Sequence, residues 1–198
     1  MNEPKKITDN LQKRINRLVR ETLKDVKVEV AEEFDRNFER EAFFNEKWAR
    51  RKYNDDKSRG LLVRTGNLRR SIHAEITGRD SVVFSSALEY ARIHNEGGTI
   101  TVTRRMKSYF WWRYLTVTGG RASDGFSNRL QRRKDGSLRN NRHNRTLTAE
   151  AEFYRAMALK KAGSKIIIPK RRFIGTHPQL EELLKGIFLE NAKRIFEE

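Results

Sequence analysis

Leu61-Leu62-Val63-Arg64-Thr65-Gly66-Asn67-Leu68-Arg69-Arg70-Ser71-Ile72, continued by Tyr90-Ala91-Arg92-Ile93-His94-Asn95-Glu96-Gly97-Gly98, is the stretch whose reading decides the fold. It reads as the start of a strand, a Thr-Gly turn, a short apolar run, a hairpin, and a short helix that ends on two glycines. Ile72, Ala74 and Ile76 alternate with Ser71, His73 and Glu75, the period of a half-buried strand. Thr77-Gly78-Arg79-Asp80 is a turn cluster and Val82-Val83-Phe84 is β-branched and aromatic, so the pair reads as a hairpin. Over residues 87–94, Leu88, Ala91 and Ile93 fall near one side of a short helix. Gly97 and Gly98 stop it, because glycine enters left-handed backbone space without steric cost. Thr65-Gly66 is a backbone device: Gly66 permits the turn and Thr65 bonds locally.

Upstream, residues 2–40 read as one long helix, with Leu11, Ile15, Leu18, Val19, Val26, Val30, Phe34 and Phe38 recurring at three- and four-residue steps. At about 1.5 Å per residue it would reach roughly 50 Å, beyond what a small sheet can cover. Its central turns are expected in the core, and the rest of its stripe against another subunit. Phe43, Phe44, Trp48 and Tyr53 are expected to pack in the core or at a hinge, and residues 54–60 form a loop by composition.

Downstream, residues 99–103 alternate as a strand, and residues 104–115 form a basic, aromatic helix with Met106, Tyr109, Phe110 and Arg113 on one side. Core or subunit packing accounts for those rings better than base stacking. Residues 148–161 read as a helix stopped by Gly163. Residues 165–168 read as a short buried strand closed by Pro169. Thr176, as N-cap, and Gln179 form a capping box for a last amphipathic helix running to the end of the sequence. The fold class is α+β: one domain over residues 1–198, with a small, mostly antiparallel sheet packed by long N- and C-terminal helices.

Residues 119–147 stand apart. Eight Arg and Lys face two Asp there, and the few large apolar residues have no sustained period. So little apolar surface cannot offset the cost of ordering a chain, and the segment is expected to be a mobile basic loop. Arg129, Arg132, Arg133, Lys134, Arg139, Arg142 and Arg145 are its candidate contacts to DNA phosphates.

The whole chain of 198 residues carries 43 Lys and Arg against 26 Asp and Glu, a net charge of +17. Such a field attracts polyanions or acidic subunits and says nothing about fold. With no cysteine, disulfides and thiolate metal sites are excluded. Residues 1–6 lack the apolar core of a signal peptide, and no run approaches a membrane span, so a soluble protein without membrane contact is expected. No cofactor motif appears: there is no Gly-x-Ser-x-Gly elbow, phosphate loop or Gly-x-Gly-x-x-Gly. His94-Asn95-Glu96 and Arg142-His143-Asn144 faintly resemble His-Asn-His nuclease patterns. No Asp/Glu/His set has metal spacing, and no catalytic role is expected. Arg171 and Arg172 read equally as a carboxylate clamp toward a neighbouring subunit or as arginines on a turn.

The quoted stretch, as Leu-x-x-Thr-Gly-x-Leu-x-x-Ser-Ile followed by Tyr-Ala-x-Ile-His-x-x-Gly-Gly, resembles the phage virion morphogenesis (tail completion) family of Mu-like tailed phages. Trp48 upstream and Ile168-Pro169-Lys170-Arg171-Arg172-Phe173-Ile174-Gly175 downstream extend the resemblance, the latter matching Ile-Pro-x-Arg-x-Phe-x-Gly. Together the pieces place Trp48, Thr65, Gly66, Leu68, Ser71, Tyr90, His94, Gly97, Gly98, Pro169, Arg171, Phe173 and Gly175 in the family pattern. The resemblance implies a structural, non-enzymatic protein of the tail end or neck, forming a ring of copies, hexameric by analogy, around the DNA passage. Its partners would be other tail and neck subunits, itself and genomic DNA. It would be a virion component assembled in the bacterial cytoplasm. The rival readings are a free-standing, non-specific nucleic-acid-binding protein and, more remotely, the metal-dependent nuclease.

Overall fold

The computed structural model describes residues 3–51, 60–119 and 130–197, with side chains from Thr8 onward. Tyr53, the 54–59 loop, Phe126 and Arg129 lie outside the described residues. The chain divides into two compact units. One comprises Met1–Trp48, Gly60–Glu96 and Lys170–Glu198; the other comprises Ala49–Arg59 and Gly97–Pro169.

The first unit is organised on helix α1 (Glu3–Arg40). A small ribbon follows, β1 (Ala42–Phe43) with β2 (Glu46–Lys47). The unit continues through the one-turn helix α2 (Asn67–Arg70), the hairpin β3 (Ile72–Thr77) and β4 (Ser81–Ser86), and helix α3 (Ala91–Glu96). The last helix of the chain, labelled α6 (Pro178–Phe196), returns antiparallel to α1, as the bond from Asn191 Nδ2 to Asp25 Oδ2 (2.7 Å) and the packing of Leu180 against Val30 require. Apolar residues three and four apart put Val30, Phe34 and Phe38 on one stripe of α1, and all three are buried. Phe34 and Val30 pack with Phe43, Phe44 and Leu180; Phe38 packs with Trp48, Leu61, Leu68, Ala91 and Phe173. The amino-terminal part of the same stripe emerges into solvent, with Leu11 50% and Ile15 40% exposed.

The second unit contains β5 (Gly98–Thr101), α4 (Arg104–Thr118), α5 (Arg142–Leu159) and β6 (Lys165–Ile168), with β5 and β6 paired antiparallel from Gly98↔Ile168 to Thr101↔Lys165. Helices α4 and α5 pack around Val117, Leu147, Ala151 and Tyr154. Phe110 of α4 meets Phe153 edge-on at 5.8 Å and stacks on Tyr154 at 6.2 Å. Arg113 donates to the Tyr154 hydroxyl at 2.9 Å.

The α+β class and both terminal helices match the sequence reading, with four local corrections. Among the described residues the strands form three separate two-stranded antiparallel sheets, not one. Leu61 to Val63 do not start a strand: Leu62 has φ 61°, which breaks an extended run, and Leu61 N–H donates to Glu41 Oε1 at 2.7 Å. The β6 strand is not buried, since Ile167 is 79% exposed on a ribbon with no second layer over that side chain. His177, not Thr176, caps α6, its Nδ1 accepting from Gln179 N–H at 3.2 Å. Pro178 is the reason: proline forces the residue before it into extended backbone (φ −155°, ψ 147°), which is the N-cap conformation, one position later than the sequence suggested.

Candidate functional site: a motif knot and a basic finger

Within the first unit, motif pieces far apart in sequence converge on one knot. Trp48 Nε1 donates to the Arg172 carbonyl at 2.7 Å, and its ring meets Phe38 edge-on at 5.6 Å. Phe38 in turn lies 5.4 Å from Phe173. Gly66 adopts φ 71° at the head of α2, where a Cβ would come within 2.8 Å of the Arg70 guanidinium. Thr65 Oγ1 accepts from Asn67 N–H at 3.4 Å, the local bond expected of it. That turn drives Leu68 into the core, and Ser71 Oγ donates to the Leu68 carbonyl while sharing a 2.7 Å hydrogen bond with Ser86 Oγ. Arg69 pairs with Asp35 and Glu39, tying α2 to α1.

Asn95 closes the knot. Its Oδ1 accepts from the Phe173 and Ile174 amides at 2.8 and 3.1 Å, and its Nδ2 donates to the Ile174 carbonyl at 3.0 Å. Beside it, Arg171 N–H donates to the His94 carbonyl at 2.8 Å. The His94 ring is half-buried against Tyr90, with Nδ1 unbonded among the described residues. Burial, and then the nearby Arg171 charge, holds the His94 imidazole below its ordinary range. Arg171 is buried, and Arg172 lies over the Phe43 ring at 5.5 Å, so both belong to the packing of this turn. Gly175 follows at φ 153°. Fully buried Asn37 adds a second splice, accepting from Phe44 N–H at 2.9 Å and donating to the Phe173 carbonyl at 3.4 Å. Gly97, Gly98 and Pro169 belong to the second unit, where Gly97 (φ 76°) follows the end of α3 and Gly98 and Pro169 flank the β5–β6 ribbon.

Of the basic segment, residues 120–129 lie outside the described residues, and residues 130–147 are more ordered than their composition suggests. Residues 130–141 form a finger with an antiparallel bridge Arg132↔Leu138, and α5 already begins at Arg142, inside the stretch read as loop. Leu147, read as loop, is buried in α5. Order comes from buried Asn144: Oδ1 accepts from Gln131 N–H, and Nδ2 donates to the Gln131 and Arg139 carbonyls, each at 2.7 Å. Asn141 caps α5 through the Asn144 amide at 2.8 Å, and Asp135 holds the tip by accepting from the Ser137 amide and hydroxyl. Arg132 donates to the Gly136 carbonyl at 2.8 Å. The side chains of Arg133, Lys134, Arg139, Arg142 and Arg145 are exposed and have no partner among the described residues. On α4, Phe110 and Arg113 pack as expected, whereas Tyr109, Trp111 and Trp112 are exposed.

Sequence reasoning missed Asn37, Asn95 and Asn144. Their only signal is an uncharged polar residue amid or just after an apolar helical stretch, with nothing to name the distant backbone it meets. Among the described residues no group of three or more His, Asp or Glu is placed to hold a metal ion, and His94 and His143 belong to different units. No helix among them is long and apolar enough to cross a membrane.

The Asn37 and Asn95 side chains thus bond to backbone within the first unit. Residues 3–97 match the family model described as "Bacteriophage HK97-gp10, putative tail-component". The match spans α1, Trp48, the Thr65–Ser71 turn and the Tyr90–Gly97 helix end, a little under half of the chain, and it supports a structural phage tail protein. No curated protein and no solved structure matches the chain.

Proposed function

We propose that this protein completes the tail of a Mu-like tailed phage or prophage at its head-proximal end. There it would form a ring, hexameric by analogy with tail completion proteins, that lets the tail join the filled capsid. The observation that carries this reading is the tail-component match over the part of the chain that builds most of the motif knot. A scaffold whose polar atoms are spent on its own backbone suits a part that holds neighbours together, with no catalytic role. Its partners are adjacent tail and neck subunits and further copies of itself, and it assembles in the bacterial cytoplasm.

The finger gives the ring a contact with the genome passing through it. Five cations without a side-chain partner among the described residues, Arg133, Lys134 and Arg139 on the finger and Arg142 and Arg145 on the first turn of α5, would meet phosphates without sequence preference. Particles assembled without the protein should contain DNA-filled capsids and separate, unjoined tails in electron micrographs. Normally joined, infectious particles would reject the reading. Replacing the five cations with glutamine should leave the fold unchanged and reduce DNA retention or joining.

The same cations favour a second reading, a free-standing nucleic-acid-binding protein. Gel shifts at two salt concentrations, with and without magnesium, separate the two. Tight binding by the isolated monomer that falls by roughly 0.9 log units per neutralised phosphate and decade of salt supports the second reading. Magnesium-dependent cleavage lost on His94→Ala would instead support a nuclease.

A further inference from the structure

In the first unit, the amino-terminal half of α1 and the turn of the β3–β4 hairpin enclose a groove of about 710 Å³. Val19 and Ile76, 37% and 38% exposed, supply apolar floor. Arg20, Lys24 and Arg79 line it as well, with Asp80, whose Oδ1 accepts from Ser81 Oγ at 2.9 Å; Arg20 and Lys24 also pair with Glu21 Oε1 at 3.3 and 3.2 Å, which leaves Arg79 as the rim cation without a side-chain ion pair among the described residues. An apolar floor with a cationic rim fits a partner surface that is apolar and acidic.

This chain carries such a surface. Residues 25–40 of α1 hold six acids and three cations, the reverse of the basic half before them. Val28 of α1 and Phe188 and Leu189 of α6 are 57%, 48% and 64% exposed. Glu29 and Glu190 stand there without a side-chain partner among the described residues. Burial, and then the nearby charges of Asp25, Glu190 and Glu32, holds the Glu29 carboxyl above its ordinary range, and Arg194 lies 3.9 Å from Asp25 on the same ridge. At about 100° per residue, Arg20 lies roughly 140° around α1 from Asp25 and roughly 180° from Glu29, whereas Lys24 and Val28, four residues apart, are neighbours on one face. One molecule can therefore present groove and ridge to two different neighbours.

We propose that the groove between α1 and the β3–β4 turn receives the acidic α1–α6 ridge of a second copy of this chain, joining copies head to tail. Unlike patches in contact make a heterologous interface, the kind that closes a ring or runs on as a filament. The proposal rests on the ring reading above and names the self-contact within it.

The test uses the full chain and two exposed-surface variants, R20E/R79E in the groove and E29K/E190K on the ridge. Mass is measured by light scattering and sedimentation at low salt. Wild-type protein should assemble beyond the dimer, and each variant alone should lose at least tenfold in association while keeping its circular dichroism. A one-to-one mixture should associate again, because every contact then pairs an acidic face with a basic one, a rescue that misfolding could not produce. Variants that assemble like wild type, a mixture that stays monomeric, or a wild-type protein monomeric at every concentration would each overturn the proposal. None of these outcomes bears on whether particles lacking the protein fail to join their tails, so the two readings can fail separately.

Discussion

The motif knot and the basic finger use the same device in opposite settings. In each, an asparagine side chain splices backbone that no strand or helix would satisfy. Asn95 reaches Phe173 and Ile174, nearly eighty positions away, beside an aromatic core. Asn144 reaches only Gln131 and Arg139, and the finger it holds is exposed almost throughout. Burial gives the knot most of its free energy, and the splice selects one arrangement of it. In the finger the hydrogen bonds are most of what there is, because little apolar area is removed from water.

That contrast can be broken by experiment. The largest effect belongs to the knot's core. Phe38→Ala removes a fully buried ring that touches Trp48 and Phe173, and should cost about 4 kcal/mol in chemical denaturation. A cost near 1 kcal/mol would show that the Phe38 cluster does not hold the unit together. Next comes Asn95→Ala, which orphans two amides and a carbonyl at the knot and should lower global stability by roughly 3 kcal/mol. Asn144→Ala removes as many bonds, yet should raise hydrogen exchange over residues 130–141 while moving the global midpoint far less, by about 1 kcal/mol. Equal global losses from the two asparagines would erase the distinction between knot and finger.

The sequence made much of the knot legible and little of the finger. Phe34, Phe38 and Trp48 announce a core by size and spacing, and Gly66 and Gly97 announce turns because left-handed backbone favours glycine. The hairpin's alternation survives in its pairing, from Ile72↔Ser86 to Thr77↔Ser81. What stayed hidden has a common cause. Composition measures apolar area, so a segment ordered by side-chain-to-backbone bonds, as Asn144 and Asp135 order the finger, reads as disordered. Periodicity is equally blind to layers: Ile166, Ile167 and Ile168 form an apolar run, yet their ribbon leaves Ile167 in solvent. A proline can shift a cap by one residue, as at His177, and only the backbone angles reveal it.

The smallest effect separates the two regions by pH. His94 sits in the knot, half-buried beside Arg171, and its imidazole is held below the ordinary histidine range, first by burial and then by that charge. Its folded form therefore binds a proton less readily than the unfolded chain. As pH falls below about 6.5, the unfolded state takes up the proton first and is favoured, so stability drops from that point downward and is level above it. Wild-type protein should lose stability between about pH 6.5 and the lower pH at which folded His94 itself titrates, and His94→Gln should flatten that limb while leaving the neutral plateau nearly unchanged. Hydrogen exchange in the finger, corrected for intrinsic rates, should show no matching step, since its order rests on the Asn144 amide, which does not titrate, and on the Asp135 carboxylate, which the Ser137 hydroxyl holds below the ordinary carboxylate range. An acid limb equally steep in His94→Gln would show that the pH sensitivity does not come from His94.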